Sequence, residues 1–597
     1  MALRTLTVDL ERGHARQQLP SAVERDYLGG RGAIAWLLWH HLPPDTPPMA
    51  PENLLVFAAG PLAGTATFAT GGFTVGTRSP LTGAIGYGWA QGHWGATLRR
   101  AGHDMLIVRG QAPDWCYLQI DRDQVRLRPA GHLLGKDTVE TARAIQAELG
   151  EEFCVLCLGP AGEAEVAYAS IVAEGRYMAE PAGAGVVMAS KRVKAIAVRG
   201  GPELPAPDAR RLAVAQEIVR RRVDGSSLAA SIRREGSRAM LGRAAEWGAL
   251  TAHNGREALP EDALAPTRAG LAAKRHESRG CRGCPMPCYF DTQRRPGEPA
   301  PLPELEHVAG FAARCGITSP DALLVIADRC LRLGIDPAAA SAAVAFLMEC
   351  QEEGLNQSGT LPWGDDEAVI AALERIAVRQ TRRDMLSLGV GEIADVFWGG
   401  AAFAPQVKGL AMPGLDPRAL TEVALAMATS PIGGDHRYAM PYEELIDEPP
   451  AWLPDEPSHP QAVKGKVLRL IWHERFAAVL DSANICRRLG LMGYQISPGE
   501  LLAMIGAASG LQVGGADMAR IGERIITVER LFARRYADNG GRDELPDRWA
   551  DQPLEEGRAA GHLPRLADLL AEYYRRHGWD ATGQPTPERL AELGIKG

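Results

Sequence analysis

Three thiols crowd into the stretch Cys281-Arg-Gly-Cys284-Pro-Met-Pro-Cys288. Thiolates are soft ligands, and Gly283, Pro285 and Pro287 between them suit a loop wrapped around a metal. An iron–sulfur cubane needs four such ligands converging on one small volume, which three from one loop plus a remote cysteine provide. A four-cysteine zinc site is the competing reading. The x2, x3 spacing and the lack of a second nearby CxxC pair weigh against zinc, but spacing alone leaves both open. Cys486, in Asp481-Ser-Ala-Asn-Ile-Cys486 at or near a helix end, is a candidate for the fourth ligand. Cys154 and Cys157 also form a CxxC, but inside the strand-like Phe153-Cys-Val-Leu-Cys-Leu158, where small buried hydrophobes are expected. Cys116, Cys330 and Cys350 read the same way, and so does Cys315 in Arg314-Cys-Gly-Ile317.

Glu306 follows Cys288 by 18 residues, and His436 follows the pair Gly433-Gly434. By residue type alone Glu306 reads as an exposed or capping carboxylate. A lone histidine also reads as structural, although two glycines nearby permit a loop of close approach.

The elements that must hold these groups fall into three stretches, as a length of 597 residues suggests when a domain takes about 100–200. Residues 1–207 are mixed and strand-rich, with short β-type runs at 54–57, 105–108, 125–127 and 195–198 and a helix over 138–149. Pro202, Pro205 and Pro207 mark a boundary. Residues 208–412 have helical spacing at 321–333, 338–351 and 367–378, and Pro413 and Pro417 mark the next boundary. Residues 413–597 are again helical, most clearly at 467–489, 501–509 and 518–536. The fold class expected is therefore α+β, a β-rich first domain followed by two mainly α-helical ones.

Composition narrows the function. A formal net charge of −8 offers no basic excess for nucleic acid. No apolar run reaches the ~18 residues of a membrane span. The N-terminal residues alternate like a strand and lack a signal-peptide core, so a cytoplasmic protein is expected. There the ten cysteines should stay unpaired, and a cluster of them points to metal. No strand–GxGxxG–helix order marks a dinucleotide site.

A longer series of motifs then falls into register. It comprises Gly60-Pro-Leu-Ala-Gly64, Thr77-Arg-Ser-Pro-Leu-Thr-Gly83, Gly159-Pro-Ala-Gly-Glu163, Gly175-Arg176, Gly183 to Lys191, the cysteine loop, Pro303-Glu-Leu-Glu306, Gly434-Asp-His436 and Asp481 to Cys486. Together they resemble the tungsten-pterin aldehyde:ferredoxin oxidoreductases along nearly the whole chain. The resemblance implies an N-terminal base of two β-sheets for a tungsten (or molybdenum) bis-pterin, with two helical domains closing over it. It implies a [4Fe–4S] cluster on Cys281, Cys284, Cys288 and Cys486. Arg176, Asp336, Asp481 and Ile485 then fall among the pterin contacts, with Mg2+ as a candidate bridge between the pterin phosphates. Glu306 becomes an acid–base group near the metal, and His436 the residue that polarises the aldehyde carbonyl. The implied activity oxidises aldehydes to carboxylic acids and passes electrons to ferredoxin or a small iron–sulfur subunit, in a homo- or hetero-oligomer. The alternatives are a catalytic subunit of a larger complex acting on another substrate, such as an aryl-CoA thioester, or a cluster-bearing scaffold without pterin.

Five positions depart from the family pattern. Gly72 stands where many relatives carry an arginine, Trp89 where an asparagine is usual, and Tyr438 where a basic residue follows the histidine by two. Leu331 replaces the first aspartate of a DxxGLD pattern, and Asn484 the glycine of a DxxGLC pattern. Each lost charged contact costs about 1–3 kcal/mol unless another group substitutes.

Overall fold

Alternating apolar residues build the first two layers. In the computed structural model, which describes residues 2–596 apart from 275, 296, 357–359, 379–383, 448, 455–458 and 538–539, they form two six-stranded sheets. The first comprises β1 (Arg4–Asp9), β2 (Gly13–Gln18), β3 (Leu55–Ala58), β4 (Phe73–Arg78), β5 (Ile85–Ala90) and β6 (Met105–Arg109), in the order β2-β1-β6-β3-β4-β5. The second comprises β7 (Cys116–Asp121), β8 (Gln124–Pro129), β9 (Cys154–Leu158), β10 (Ile171–Ala173), β11 (Tyr177–Ala179) and β12 (Val193–Arg199), in the order β11-β10-β9-β12-β7-β8. Neighbouring strands run antiparallel except β1 with β6 and β7 with β12. Leu6, Phe57, Phe73 and Leu106 of the first sheet meet Leu118, Leu156, Ile196 and Val198 of the second in one buried layer. Each such side chain contributes about 1.5–3 kcal/mol. The sheets also join at an edge, where the Trp89 amide donates to the Glu180 carbonyl at 3.2 Å. That edge belongs to the site described below.

The remainder is largely helical. Pro320–Leu333, Pro337–Glu352, Asp366–Val378, Pro498–Ser509 and Gly515–Tyr536 match the helical spacing read from sequence within a few residues. The expected run 467–489 instead stops early, as the helix Lys466–Ala483. Asn484 takes φ 66° and ψ 45°, a left-handed cap that turns the chain out of the helix. Three small sheets also interrupt the helical part. These are the pair β13 (Thr251–Ala252) and β14 (Glu257–Ala258), the three strands β15 (His276–Ser278), β16 (Phe290–Arg295) and β17 (Glu298–Pro301), and the pair β18 (Gln406–Val407) and β19 (Leu410–Ala411). The cysteine loop is the connection between antiparallel β15 and β16, pinned at its base where the Arg279 amide donates to the Tyr289 carbonyl at 2.9 Å.

The helix Lys466–Ala483 reaches the first sheet through glycine. A Cβ on Gly60 would lie 2.2 Å from the Ser482 carbonyl oxygen, so only glycine lets this helix end seat against the 59–63 turn. The Leu62 amide then donates to the Ala483 carbonyl at 3.2 Å. This contact carries the remote cysteine to the base domain.

Candidate redox site

Ala69 joins the two cysteine segments. Its amide donates to the Arg282 carbonyl at 2.8 Å, and its carbonyl accepts from the Cys486 amide at 3.0 Å. Within the loop the Cys284 amide donates to the Cys281 carbonyl at 3.0 Å, a tight turn. Cys281 and Cys284 are half-buried, and Cys288 and Cys486 are buried. Burial pushes every one of the four thiols above its ordinary pKa, Cys288 to about 12, and the neighbouring sulfurs push Cys281, Cys284 and Cys288 further. Four soft groups drawn together in this way suit a metal cluster. Cys157, by contrast, donates to the Thr138 carbonyl at 3.3 Å on the far face of the second sheet, and Cys315 to the Ser341 carbonyl at 3.5 Å in the helical core.

Beside the cysteines lies a chain of cavities. The first is bordered by Arg176, Glu180, Glu306, Leu331, Arg437 and Arg488. A second shares Glu180, Arg437 and Arg488 and adds Trp89 and Arg487. A third shares Trp89 and Arg487 and ends at Gly72, Asp481, Ile485 and Cys486. Four arginines border this space, and Trp89 Nε1 and Arg176 Nε are buried without a hydrogen-bond partner. Buried donors are normally satisfied, so an anionic, acceptor-rich group such as a pterin phosphate fits the space.

Glu306 sits in the single turn Leu305–His307, just before the wide π-helical turn Val308–Arg314. π-turns often mark functional sites, and a second one, Arg488–Met492, follows Cys486. The Gly414 amide donates to Glu306 Oε2 at 3.3 Å. Arg314 fixes the segment ahead of Gly414, donating to the Met412 and Pro413 carbonyls at 2.9 and 2.8 Å. Burial raises the Glu306 pKa, Arg437 opposes the rise, and Asp435 adds to it. Arg437 itself is clamped by Asp435 at 2.8 Å and by Glu180 at 3.0 Å.

His436 is fully buried and borders none of these cavities. Its Nε2 lies 3.3 Å from the Tyr442 hydroxyl, and Nδ1 has no hydrogen-bond partner. Burial lowers its pKa to about 4, so the ring is neutral near pH 7. Tyr442 also feels the Glu306 charge, which raises the tyrosine pKa further after burial.

The remaining expected contacts occupy distinct places. Asp336 caps the helix Pro337–Glu352, accepting from the Ala338 and Ala339 amides at 2.9 and 3.3 Å. Asp481 is held by Arg487 at 3.0 Å and by Arg31 at 3.3 Å. Arg176 pairs with Asp291 of β16 and borders the first cavity, and Ile485 borders the third. Sequence reasoning missed Glu180, Arg437, Tyr442, Arg487 and Arg488. Arg437 directly follows His436, and the two arginines directly follow Cys486, so adjacency to flagged residues was the available signal. Glu180 gave none.

Comparison with known proteins agrees along the chain. Residues 5–200 match the family described as aldehyde ferredoxin oxidoreductase, N-terminal domain, and residues 213–595 match its domains 2 and 3. The chain is 31% identical over 604 residues to the tungsten-containing aldehyde ferredoxin oxidoreductases of Thermococcus kodakarensis and Pyrococcus furiosus, covering 99% of this chain and 98% of each relative. Among solved structures it resembles the active-site complex BamBC of benzoyl coenzyme A reductase bound to 1,5-dienoyl-CoA. That match has a TM-score of 0.85 at 25% identity, over 99% of this chain and 96% of the other. The paired sheets, the cysteine loop with its remote fourth thiol and these full-length matches place the chain in the aldehyde ferredoxin oxidoreductase family.

Proposed function

We propose that the chain oxidises aldehydes to carboxylic acids at a tungsten (or molybdenum) bis-pterin and releases the electrons through a [4Fe–4S] cluster. The carrying observation is the convergence of Cys281, Cys284, Cys288 and Cys486 beside an arginine-bordered cavity that contains Glu306. Arg176, Asp336, Asp481 and Ile485 are the chain's candidate pterin contacts, with Arg487 added from the cavity wall. Mg2+ between the pterin phosphates would further neutralise them. The bound metal–pterin supplies the two-electron oxygen-transfer chemistry.

The protein groups handle binding and protons. Aldehyde and water become carboxylic acid, two electrons and two protons. Glu306, whose carboxyl is raised toward neutrality by burial, takes a proton at its carboxylate oxygen while the Gly414 amide holds its geometry. Neutral His436, held at Nε2 by the Tyr442 hydroxyl and without a hydrogen-bond partner at Nδ1, polarises the carbonyl of the aldehyde.

A single cluster carries one electron at a time, so two must leave in sequence to ferredoxin or a small iron–sulfur subunit. Gly283 is exposed at the tip of the cysteine loop. Residues 208–235 and 279–288 around it carry nine arginines against four carboxylates, in a chain whose net charge is −8. This local excess supports docking of an acidic carrier there. We read residues 1–207, 208–412 and 413–597 as the three domains. Among the described residues no helix is long and apolar enough to cross a membrane, and we place the chain in the cytoplasm on its unpaired cysteines.

The test is anaerobic purification with elemental analysis, followed by aldehyde oxidation with viologen, ferredoxin or NAD as acceptor. Tungsten or molybdenum with iron, and turnover with viologen and ferredoxin, is expected. Stoichiometric zinc without iron, or direct rapid NAD reduction, would overturn the reading. Similarity to BamBC favours one second reading, reduction of an aryl-CoA thioester within a larger complex. Turnover of such a thioester but of no aldehyde would select it.

A further inference from the structure

Arg488 touches both halves of the proposed redox centre. It opens the π-turn Arg488–Met492, two residues beyond Cys486. Its Nη1 lies 3.8 Å from the Cys288 sulfur, hydrogen-bond distance for an N–H donor to sulfur. Its guanidinium carbon stands 4.6 Å from the centre of the Tyr289 ring, and Nη2 pairs with Glu304 at 2.5 Å. The same side chain borders the first two cavities, as Glu180 and Arg437 do, and Glu306 stands in the first. Arginine does not lose its charge in a protein, and its fork lets one nitrogen face the sulfur while another holds the carboxylate.

We propose that Arg488 is a positioning residue that sets the potential of the cluster, by holding a fixed positive charge and an N–H donor on the Cys288 thiolate at the cavity side. The inference rests on the cluster assignment above. The step concerned is the gain of one electron by a cluster on four thiolates. Arg488 gives and takes neither electron nor proton. It stabilises the added negative charge, and cluster potentials respond to nearby charge and to hydrogen bonds on the sulfurs. Glu304 works against it, since its carboxylate neutralises part of the guanidinium field. Lysine would keep the charge but lose the fork that serves sulfur and carboxylate together.

The experiment is an EPR-monitored redox titration of anaerobically purified full-length protein, with iron content measured for each variant. Arg488→Met should lower the equilibrium constant for cluster reduction at least tenfold, about 59 mV for one electron. Arg488→Lys should recover more than half of that loss. Glu304→Gln should move the potential in the opposite direction. A merely structural role for the Arg488–Glu304 pair would shift both single variants the same way. Unchanged potentials at full iron content, or shifts of Arg488→Met and Glu304→Gln in one direction, would overturn the proposal. If Arg488→Met fails to hold iron, the opposite shifts of Arg488→Lys and Glu304→Gln decide the matter. The expected opposite shifts in a protein that oxidises no aldehyde would sink the functional reading while leaving this inference standing.

Discussion

Glu306→Gln separates proton transfer from shape. Glutamine has the same length, and its carbonyl oxygen keeps the bond from the Gly414 amide, now 3.3 Å. Only the capacity to take a proton is lost. General acid–base groups contribute about 10²–10⁴-fold, so activity per metal should fall by about 2.7–5.4 kcal/mol of barrier. Stability should move the other way. Burial raises the Glu306 pKa, Asp435 adds to the rise, and Arg437 only partly offsets it. Between the unfolded and folded pKa values the native state then holds more protons than the unfolded chain. Stability contributed by this group is therefore lost as pH rises through that window, by about 1.36 kcal/mol for each unit of displacement. Glutamine does not titrate and escapes that loss. Urea denaturation at pH 5 and pH 8 should find the variant at least as stable as the parent, with a margin larger at pH 8. Turnover within threefold of the parent at equal metal content would refute the proton role. A variant clearly less stable at pH 8 would show that the Arg437 field outweighs burial.

Cys486→Ser should cut iron per chain to less than half and abolish the cluster EPR signal, whereas Cys157→Ser, on the far face of the second sheet, should leave both intact. Arg31→Met removes a buried guanidinium that grips Glu529 at 2.8 and 2.9 Å and Asp481 at 3.3 Å. Two buried carboxylates are left without it, and unfolding free energy should drop by about 3–5 kcal/mol in denaturant titration. Asn484→Ala deletes two 2.9 Å bonds to the Thr70 and Gly72 carbonyls and places alanine at φ 66°. It should cost about 2–4 kcal/mol in the same titration, more than Asn484→Gly, which loses the bonds without the strain.

The parts of this site that were legible in sequence are those whose chemistry is written into local composition. The loop 281–288 announces itself because thiols, glycine and prolines together suit little else, and the helices with long apolar periods fall where the spacing puts them. The end of the helix Lys466–Ala483 was not legible, because residues 484–489 continue an apolar pattern. What stops the helix is tertiary. Asn484 can hold a left-handed conformation, and its amide is claimed by two carbonyls of the first domain. The cavity arginines were hidden for a related reason. Charged residues read as solvated until a fold shows which of them face inward.

The departures from the family pattern look like independent losses in sequence and become coupled replacements in space. A Cβ on Gly72 would stand 2.4 Å from the Ala90 carbonyl oxygen, so an arginine has no room there in this backbone. Asn484 holds the Gly72 carbonyl in that position, which makes the changes at 72 and 484 one packed unit. Trp89, on the same rim, receives the Arg487 guanidinium at 3.8 Å from its ring centre, and Arg487 also binds Asp481. Tyr438 donates to Glu529 at 2.7 Å and lies 4.0 Å from the Arg31 guanidinium carbon, and Arg31 reaches the same Asp481. Arg487 and Arg31 therefore both pair with Asp481, a candidate pterin contact. Leu331 has no such partner. It borders the first cavity, beside Glu306 and Arg176, and puts an apolar side chain in that wall where the family pattern has a carboxylate.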